Sequence, residues 1–261
     1  MEKITSKDNR WVKEYAKLAS LKSYRSQSGR FALEGVKLVC EAFQSGIRLP
    51  VVLVTGKCLE RSGTDLAQAM EWGEWFLIPE ELESKLTQQI SPQGIYAIGE
   101  KLDKILLPDT IKKSGKYVML CGLQDAGNVG TIIRTAEALG LNGVIATAGT
   151  CDFYNPKVLR GSMGSVFRMP CCIVGEEGRF LTELSAAGVQ TCASVVDPGA
   201  IPIGEAVFRD PCVLLIGNEG NGLSLRTSVL CEQCVTIHMK GKTESLNASM
   251  AACILLWEMT K

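Results

Sequence analysis

Apolar residues along this chain come in short blocks that stop abruptly at Gly, Asn, Asp and Ser. Blocks at 51–55, 75–78, 94–98, 118–123, 143–147, 191–195 and 212–216 are too short for helices. The block at 212–216 also lacks polar alternation, as expected for a strand covered on both faces of a parallel sheet. A further apolar stretch runs out at Ile237, His238 and Met239. Helical periodicity predicts helices over 9–22, 35–45, near 65–72, from Pro79 onward, over 130–139 ending at Gly140, and over 248–259. Residues 1–98 therefore form a small α/β unit, and 99–116, rich in Lys, Ser and Gly, form a linker. From 117 to 261 strands and helices alternate, which predicts a mostly parallel sheet with helices on both faces.

Three of the predicted strands run into turns of Gly, Asn, Glu and Ser, and ligands collect at the carboxyl ends of such strands. The first turn, 122–130, has neither the GxGxxG spacing nor a following acidic residue, and no Gly-Lys-Ser/Thr, so simple dinucleotide and ATP sites are disfavoured. What remains is a helix N-terminus capped by Asn128, with Arg134 on its second turn. The alternative is purely structural, with Asn128 only capping and Arg134 only pairing with Glu137. The second turn, from Ile216 and Gly217 to Gly222, presents the single carboxylate of Glu219 among glycines that permit close backbone approach. In the third, Ser245 or Asn247 is positioned to cap the last helix, a role compatible with orienting a substrate oxygen.

Composition adds compartment and partner. With 46% hydrophobic residues the chain buries an ample core, and no apolar run reaches the ~18 residues of a membrane span. Eleven cysteines, an odd number, without an export signal point to a reducing cytoplasm. Cys231-x-x-Cys234-x-x-x-His238 has half the spacing of a zinc site but lacks a second pair, so no metal is expected. Net charge is zero, yet residues 1–50 hold ten Lys/Arg against five Asp/Glu, and residues 51–100 hold three against eight. The front cations, Arg25 and Arg30 among them, with Trp11 and Tyr24 interleaved, form either an RNA-binding face or the solvated side of an amphipathic helix.

The segments Asn128-Val129-Gly130-Thr131-Ile132-Ile133-Arg134, Ile216-Gly217-Asn218-Glu219-Gly220-Asn221-Gly222 and Ile237-His238-Met239 through Glu244-Ser245-Leu246-Asn247-Ala248 together resemble the three motifs of the SpoU/TrmH family of knotted SPOUT methyltransferases. Arg160-Gly161-Ser162 also stands where that family has an Arg/Ser/Gly segment, and residues 30–98 are similar to its ribosomal-protein-like RNA-binding domain. The resemblance implies a trefoil knot, a homodimer, and transfer of methyl from S-adenosylmethionine to a ribose 2′-hydroxyl, in ribosomal RNA by preference. Transfer RNA and a non-catalytic RNA-binding assembly factor are the competing readings. By motif position, Asn128, Arg134, Glu219, Ser245 and Asn247 would serve catalysis. Ala193, Ser194, Ile216, Gly217, Ile237, Met239, Leu246 and Ala248 would line the cofactor site, and Arg25, Arg30, Arg160 and Ser162 would meet RNA. His238 replaces the family's usual proline, which affects the rigidity of the third turn.

Overall fold

The computed structural model describes residues 1–87, 89–101, 108–111 and 113–261. Within the predicted linker, residues 102–107 and 112 lie outside the described residues, Lys104 and Lys112 among them. The chain divides into two compact units, Met1–Asp103 with Asp152–Phe167, and Lys104–Cys151 with Arg168–Lys261.

The first unit is built on a five-stranded sheet of β1 (Glu2–Lys3), β2 (Arg30–Glu34), β3 (Val51–Thr55), β4 (Glu74–Ile78) and β5 (Ile95–Glu100), in the order β1-β4-β3-β5-β2. β1, β4 and β3 run parallel, and β5 is antiparallel to both β3 and β2. The helix Arg10–Ser20 is capped by Asn9, whose side chain accepts from the Trp11 N–H at 2.8 Å. It lays Val12, Tyr15 and Leu18 against Leu53, Phe76 and Tyr96 of the sheet, while Arg10, Lys13 and Lys17 stay exposed. That is the amphipathic arrangement its 3.6-residue period dictates. The helix predicted near 65–72 is displaced: it spans Gly56–Leu66, and Ala69–Glu71 forms only a 3-10 turn. Thr55 ends β3 and caps this helix by accepting from the Cys58 N–H. Burial of Cys58, Ser62 and Leu66 then outweighs the poor helix propensity of Gly56 and Gly63.

The segment Asp152–Phe167, which the sequence assigns to the second domain, packs within the first unit. Its helix, Pro156–Ser162, starts at the cap Asn155 with proline in the first turn and lies against β2. The Phe31 ring meets Tyr154 at 4.7 Å and Phe167 at 5.9 Å between centroids. Arg25 is 2% exposed; it donates from Nε to Asp152 at 2.7 Å and from Nη1 to the Leu18 carbonyl at 2.7 Å. Its expected contact with RNA is therefore corrected: a guanidinium buried in an ion pair is unavailable to phosphate. Ser162 is corrected for the same reason, being fully buried and donating to the Leu159 carbonyl. Arg30 is half-buried, bonded to Glu14 at 2.9 Å and paired with Glu100, and Arg160 is partly exposed.

The second unit carries a seven-stranded, all-parallel sheet: β6 (Lys116–Leu120), β7 (Gly143–Thr147), β8 (Cys171–Val174), β9 (Gln190–Ser194), β10 (Ile201–Pro202), β11 (Cys212–Ile216) and β12 (Gln233–Thr236). Their order is β10-β12-β9-β11-β6-β7-β8. Phe180, Leu181 and Leu184 of the helix Glu177–Ala186 cover one face, against Tyr117, Met119, Ile145, Val213 and Leu215. The helices Ala126–Ala138 and Ala248–Thr260 pack together and against β6, β7 and β11. Every residue of β11 is buried, as its unalternating sequence requires. β12 ends at Thr236, so Ile237, His238 and Met239 belong to the loop beyond the strand and not to the strand itself.

Removing the Asp152 carboxylate leaves the Arg25 guanidinium buried without its counter-charge. Asp152→Ala should cost about 3–5 kcal/mol of first-unit stability. Urea unfolding followed by the tryptophan fluorescence of that unit measures it, and a loss below ~1 kcal/mol would show that the pair is dispensable.

Candidate active site

All of the second unit's strands point the same way, so the loops after β6, β9, β11 and β12 gather at one end of its sheet. The loop after β6 turns at Gly122, whose φ of 70° suits glycine. Its N–H is held by the hydroxyls of Thr147 at 3.0 Å and Thr150 at 3.2 Å. The helix that follows begins at Ala126, four residues before the predicted start. Asp125, not Asn128, is its cap, accepting from the Asn128 N–H at 2.8 Å. A carboxylate at this position also complements the positive end of the helix.

Asn128 is thereby freed for another partner. Its Nδ2 donates to Glu219 Oε1 at 3.1 Å. The Glu219 carboxylate accepts two backbone N–H groups as well, from Gln124 at 3.1 Å and Asp125 at 3.0 Å. Burial pushes this carboxyl up, but the hydrogen bonds from Gln124, Asn128 and Asp125 outweigh burial and hold it below the usual glutamate range. Glu219 is thus a clasp between the first and second loops, with both oxygens accepting hydrogen bonds, and it stays exposed on the wall of the cleft described below.

Asn218, which the sequence reading did not single out, completes the lock. Its Nδ2 donates to the Gly122 carbonyl at 2.8 Å, and its Oδ1 accepts from the Gly220 N–H at 2.9 Å. The signal was present in Asn-Glu-Gly-Asn-Gly, a run suited to side-chain-closed turns. Gly217 has no room for a side chain, since an added Cβ would lie 2.2 Å from the Gly222 carbonyl carbon and 2.3 Å from the Leu223 nitrogen.

In the third loop, Asn247 caps the final helix by accepting from the Ser249 N–H at 2.9 Å and the Met250 N–H at 3.3 Å. Ser245 is exposed. Between the loops lies a cleft of about 440 Å³ whose walls include Ser194, Ile216, Gly217, Ser245, Leu246 and Ala248. Ile237 and Met239 line an adjoining hollow of about 420 Å³, which shares Val196 and Glu244 with the cleft. Ala193 lines neither and is fully buried in β9, which corrects its expected cofactor contact. Glu244, common to both hollows, stands in the third motif but is not among the candidate residues that the sequence singles out.

Arg134 is exposed on the helix Ala126–Ala138 and has no hydrogen bond or ion pair among the described residues. Its expected structural partner, Glu137, is bonded to Arg168 instead. Burial pushes the Cys231 thiol up to about 12, the wrong direction for a thiolate ligand. Among the described residues, no three His, Cys, Asp or Glu side chains gather to hold a metal.

A match to the SpoU rRNA Methylase family model spans residues 115–257, over half of the chain. The chain belongs to that family. Residues 9–97 match an MRM3-like substrate binding domain. The chain is 31% identical over 260 residues to the Bacillus subtilis 23S rRNA (guanosine(2553)-2'-O)-methyltransferase RlmP, covering 99% of both. It is 30% identical to a Streptomyces viridochromogenes 23S rRNA (uridine(2479)-2'-O)-methyltransferase, covering 99% of this chain and 92% of that one. Among solved structures, an AdoMet-bound rRNA methyltransferase from Sinorhizobium meliloti superposes with a TM-score of 0.84 at 31% identity, covering 99% of this chain and 97% of that one.

Two predictions follow from the clasp and the tight turn. Because its folded pKa is lowered, Glu219 contributes stability that is present above the unfolded carboxylate value of ~4.3 and lost as pH falls through the lower folded value. Glu219→Gln should therefore destabilise the second unit at pH 7 by on the order of 1 kcal/mol, discounted for solvent exposure. The difference from wild type should shrink as pH drops below about 4, and denaturant titrations from pH 3 to 7 would reveal a constant difference if the clasp is absent. Gly217→Ala should disrupt the cleft as thoroughly as Gly217→Val, because the first carbon already strikes backbone. Calorimetry with S-adenosylmethionine checks this, and an Ala variant binding normally would refute it.

Proposed function

We propose that this protein transfers a methyl group from S-adenosylmethionine to a ribose 2′-hydroxyl of ribosomal RNA. The observation carrying this reading is the cleft formed where the second and third loops meet, tied through Glu219 to the helix bearing Asn128 and Arg134. Relatives that cover the whole chain act on 23S rRNA, and this favours ribosomal over transfer RNA. The free guanidinium of Arg134 favours an enzyme over a non-catalytic RNA-binding factor.

The cleft suits the cofactor. Its volume falls in the ~300–1,000 Å³ range of small-molecule sites. Ile216, Leu246, Ala248 and Ala251 offer apolar walls to a flat base, while Glu244, Ser245 and loop backbone offer polar partners. When bound, S-adenosylmethionine supplies an electrophilic methyl on a sulfonium. The protein's task is alignment, which can supply several kcal/mol. Asn128 contributes by geometry: with Nδ2 committed to Glu219, its Oδ1 is left to accept from the ribose hydroxyl. Arg134 polarises that hydroxyl or grips the adjacent phosphate, with proton loss late in the transfer. A guanidinium acting as base is the less favourable role, because arginine resists deprotonation.

Two further features belong to this reading. Met250, Ile254 and Trp257 form an exposed apolar stripe at helical spacing on the last helix, with exposures of 59%, 43% and 56%, and this supports a homodimer joined through that helix. After β12, beyond β9 in the sheet, the chain returns to place the last helix against β6 and β11, a path that supports the trefoil knot. No helix among the described residues is long and apolar enough to cross a membrane, and all eleven cysteines are free, which suits a reducing cytoplasm.

Arg134→Ala should leave S-adenosylmethionine affinity within a few fold and lower the rate of 2′-O-methylation by a factor on the order of a hundred or more. Transfer of labelled methyl to large-subunit ribosomal RNA, beside cofactor calorimetry, gives both numbers. Loss of cofactor binding with an unchanged maximal rate would place Arg134 in the cofactor site and overturn the mechanism.

A further inference from the structure

The loop 89–94 of the first unit combines three features that a plain connection between elements does not need. Ile90 is fully exposed at its tip, with 103% of its reference surface. Beside it, Gln89 Nε2 is the one buried side-chain polar atom among the described residues without a hydrogen-bond partner. Such an unpaired donor is unfavourable, and native structures rarely keep one without a use. Gln93 is exposed and lies along Gly35, whose φ of 107° lets the chain turn sharply out of β2; an added Cβ there would sit 3.6 Å from Gln93 Cγ.

The surroundings limit what could bind. No charged residue occurs from 86 to 99, so the loop is not built for phosphate. Glu34, bonded to Thr87 just before the loop, is buried and accepts the Thr87 hydroxyl at 2.6 Å. What the loop offers is an apolar tip flanked by side-chain amides, which carry both donors and acceptors. That combination fits an unstacked nucleobase, with its face against an apolar side chain and its edge open to amide hydrogen bonds. The exposed cations Arg10, Lys13 and Lys17 lie on a different element of the same unit and suit the backbone.

We propose that the loop 89–94 is a base-recognition site: Ile90 packs on an unpaired base of the RNA, and Gln93, with Gln89 after loop adjustment, reads its edge. This rests on the reading of the protein as an RNA methyltransferase. It assigns sequence reading and phosphate contact to separate places in the first unit, and the two differ in salt dependence.

The test measures affinity of the intact protein for transcribed large-subunit ribosomal RNA across a salt series. Ile90→Ala removes a side chain that packs on nothing, so its melting temperature should match wild type. Its Kd should rise on the order of ten-fold, the scale of one lost base contact, with an unchanged slope of log K against log salt. Gln93→Ala should behave alike. Lys13→Ala with Lys17→Ala should do the reverse and flatten the slope by up to ~0.7 for each lost phosphate contact to single-stranded RNA. Unchanged RNA affinity in Ile90→Ala overturns the site and leaves the loop to protein contact, and an affinity loss accompanied by a flatter slope overturns it too. A wild-type protein with no salt-dependent RNA affinity overturns the functional reading itself, and the two failures are thereby distinguished.

Discussion

The carboxylate of Glu219 is the contact on which the active end of the second unit depends. A parallel sheet delivers its loops to one end but leaves their backbone groups in need of partners, because loops lack the ladder that satisfies strands. Glu219 takes two of these N–H groups from the first loop, and Asn218 takes the Gly122 carbonyl. Two loops from separate strands are thereby fixed in one arrangement. Asn128 is oriented by the same carboxylate, so a group far from Asn128 in sequence decides which of its amide atoms remains free. The clasp is also why Gly217 admits no side chain, since the second loop must close on itself within 3 Å of that position to present Glu219.

The strands of the second unit were legible in the sequence because burial on both faces writes itself as continuous apolar runs. β11 and β7 begin and end where those runs do. The third loop was legible for a different reason: Asn followed by Ala and Ser before an apolar helix is a local capping signal, and Asn247 does cap. In the first loop two residues three positions apart, Asp125 and Asn128, both qualify as caps. Asp125 caps, and the Asn128 side chain goes to Glu219, which lies more than ninety positions away. Local pattern carries no information about such a partner. The helix Gly56–Leu66 was lost to the opposite effect, since its glycines speak against a helix that tertiary burial nonetheless maintains.

The largest difference between the sequence and the fold is the placement of Asp152–Phe167. The alternation of strands and helices puts it inside the domain 117–261, and the family match spans it. In the structure its apolar residues are core of the first unit, with Phe167 stacked near Phe31 and Asp152 bound to Arg25. The chain therefore passes between the two compact units three times, after Asp103, Cys151 and Phe167, and not once through a single linker. A fragment beginning near Lys116 keeps the family's three motifs but strands these side chains without their partners. The division of labour between RNA binding and methyl transfer is thus not a division between two separable pieces of sequence.

The same placement explains why charge alone misassigned the RNA contacts. Arg25 and Lys17 look equivalent in the sequence, two cations near the front of a basic segment. One is consumed by an ion pair with a carboxylate more than a hundred residues away, and the other lies exposed at 5.5 Å from the Tyr24 ring. A buried ion pair fixes packing and an exposed cation beside an aromatic ring remains available to a polyanion, so only the second retains the function that net charge suggests. Counting cations gives the reach of an electrostatic field, whereas burial decides which of them still contribute to it. Among the cations that stay exposed, Arg10, Lys13 and Lys17 recur at the helical spacing of one face, opposite the apolar side that anchors the helix to its sheet.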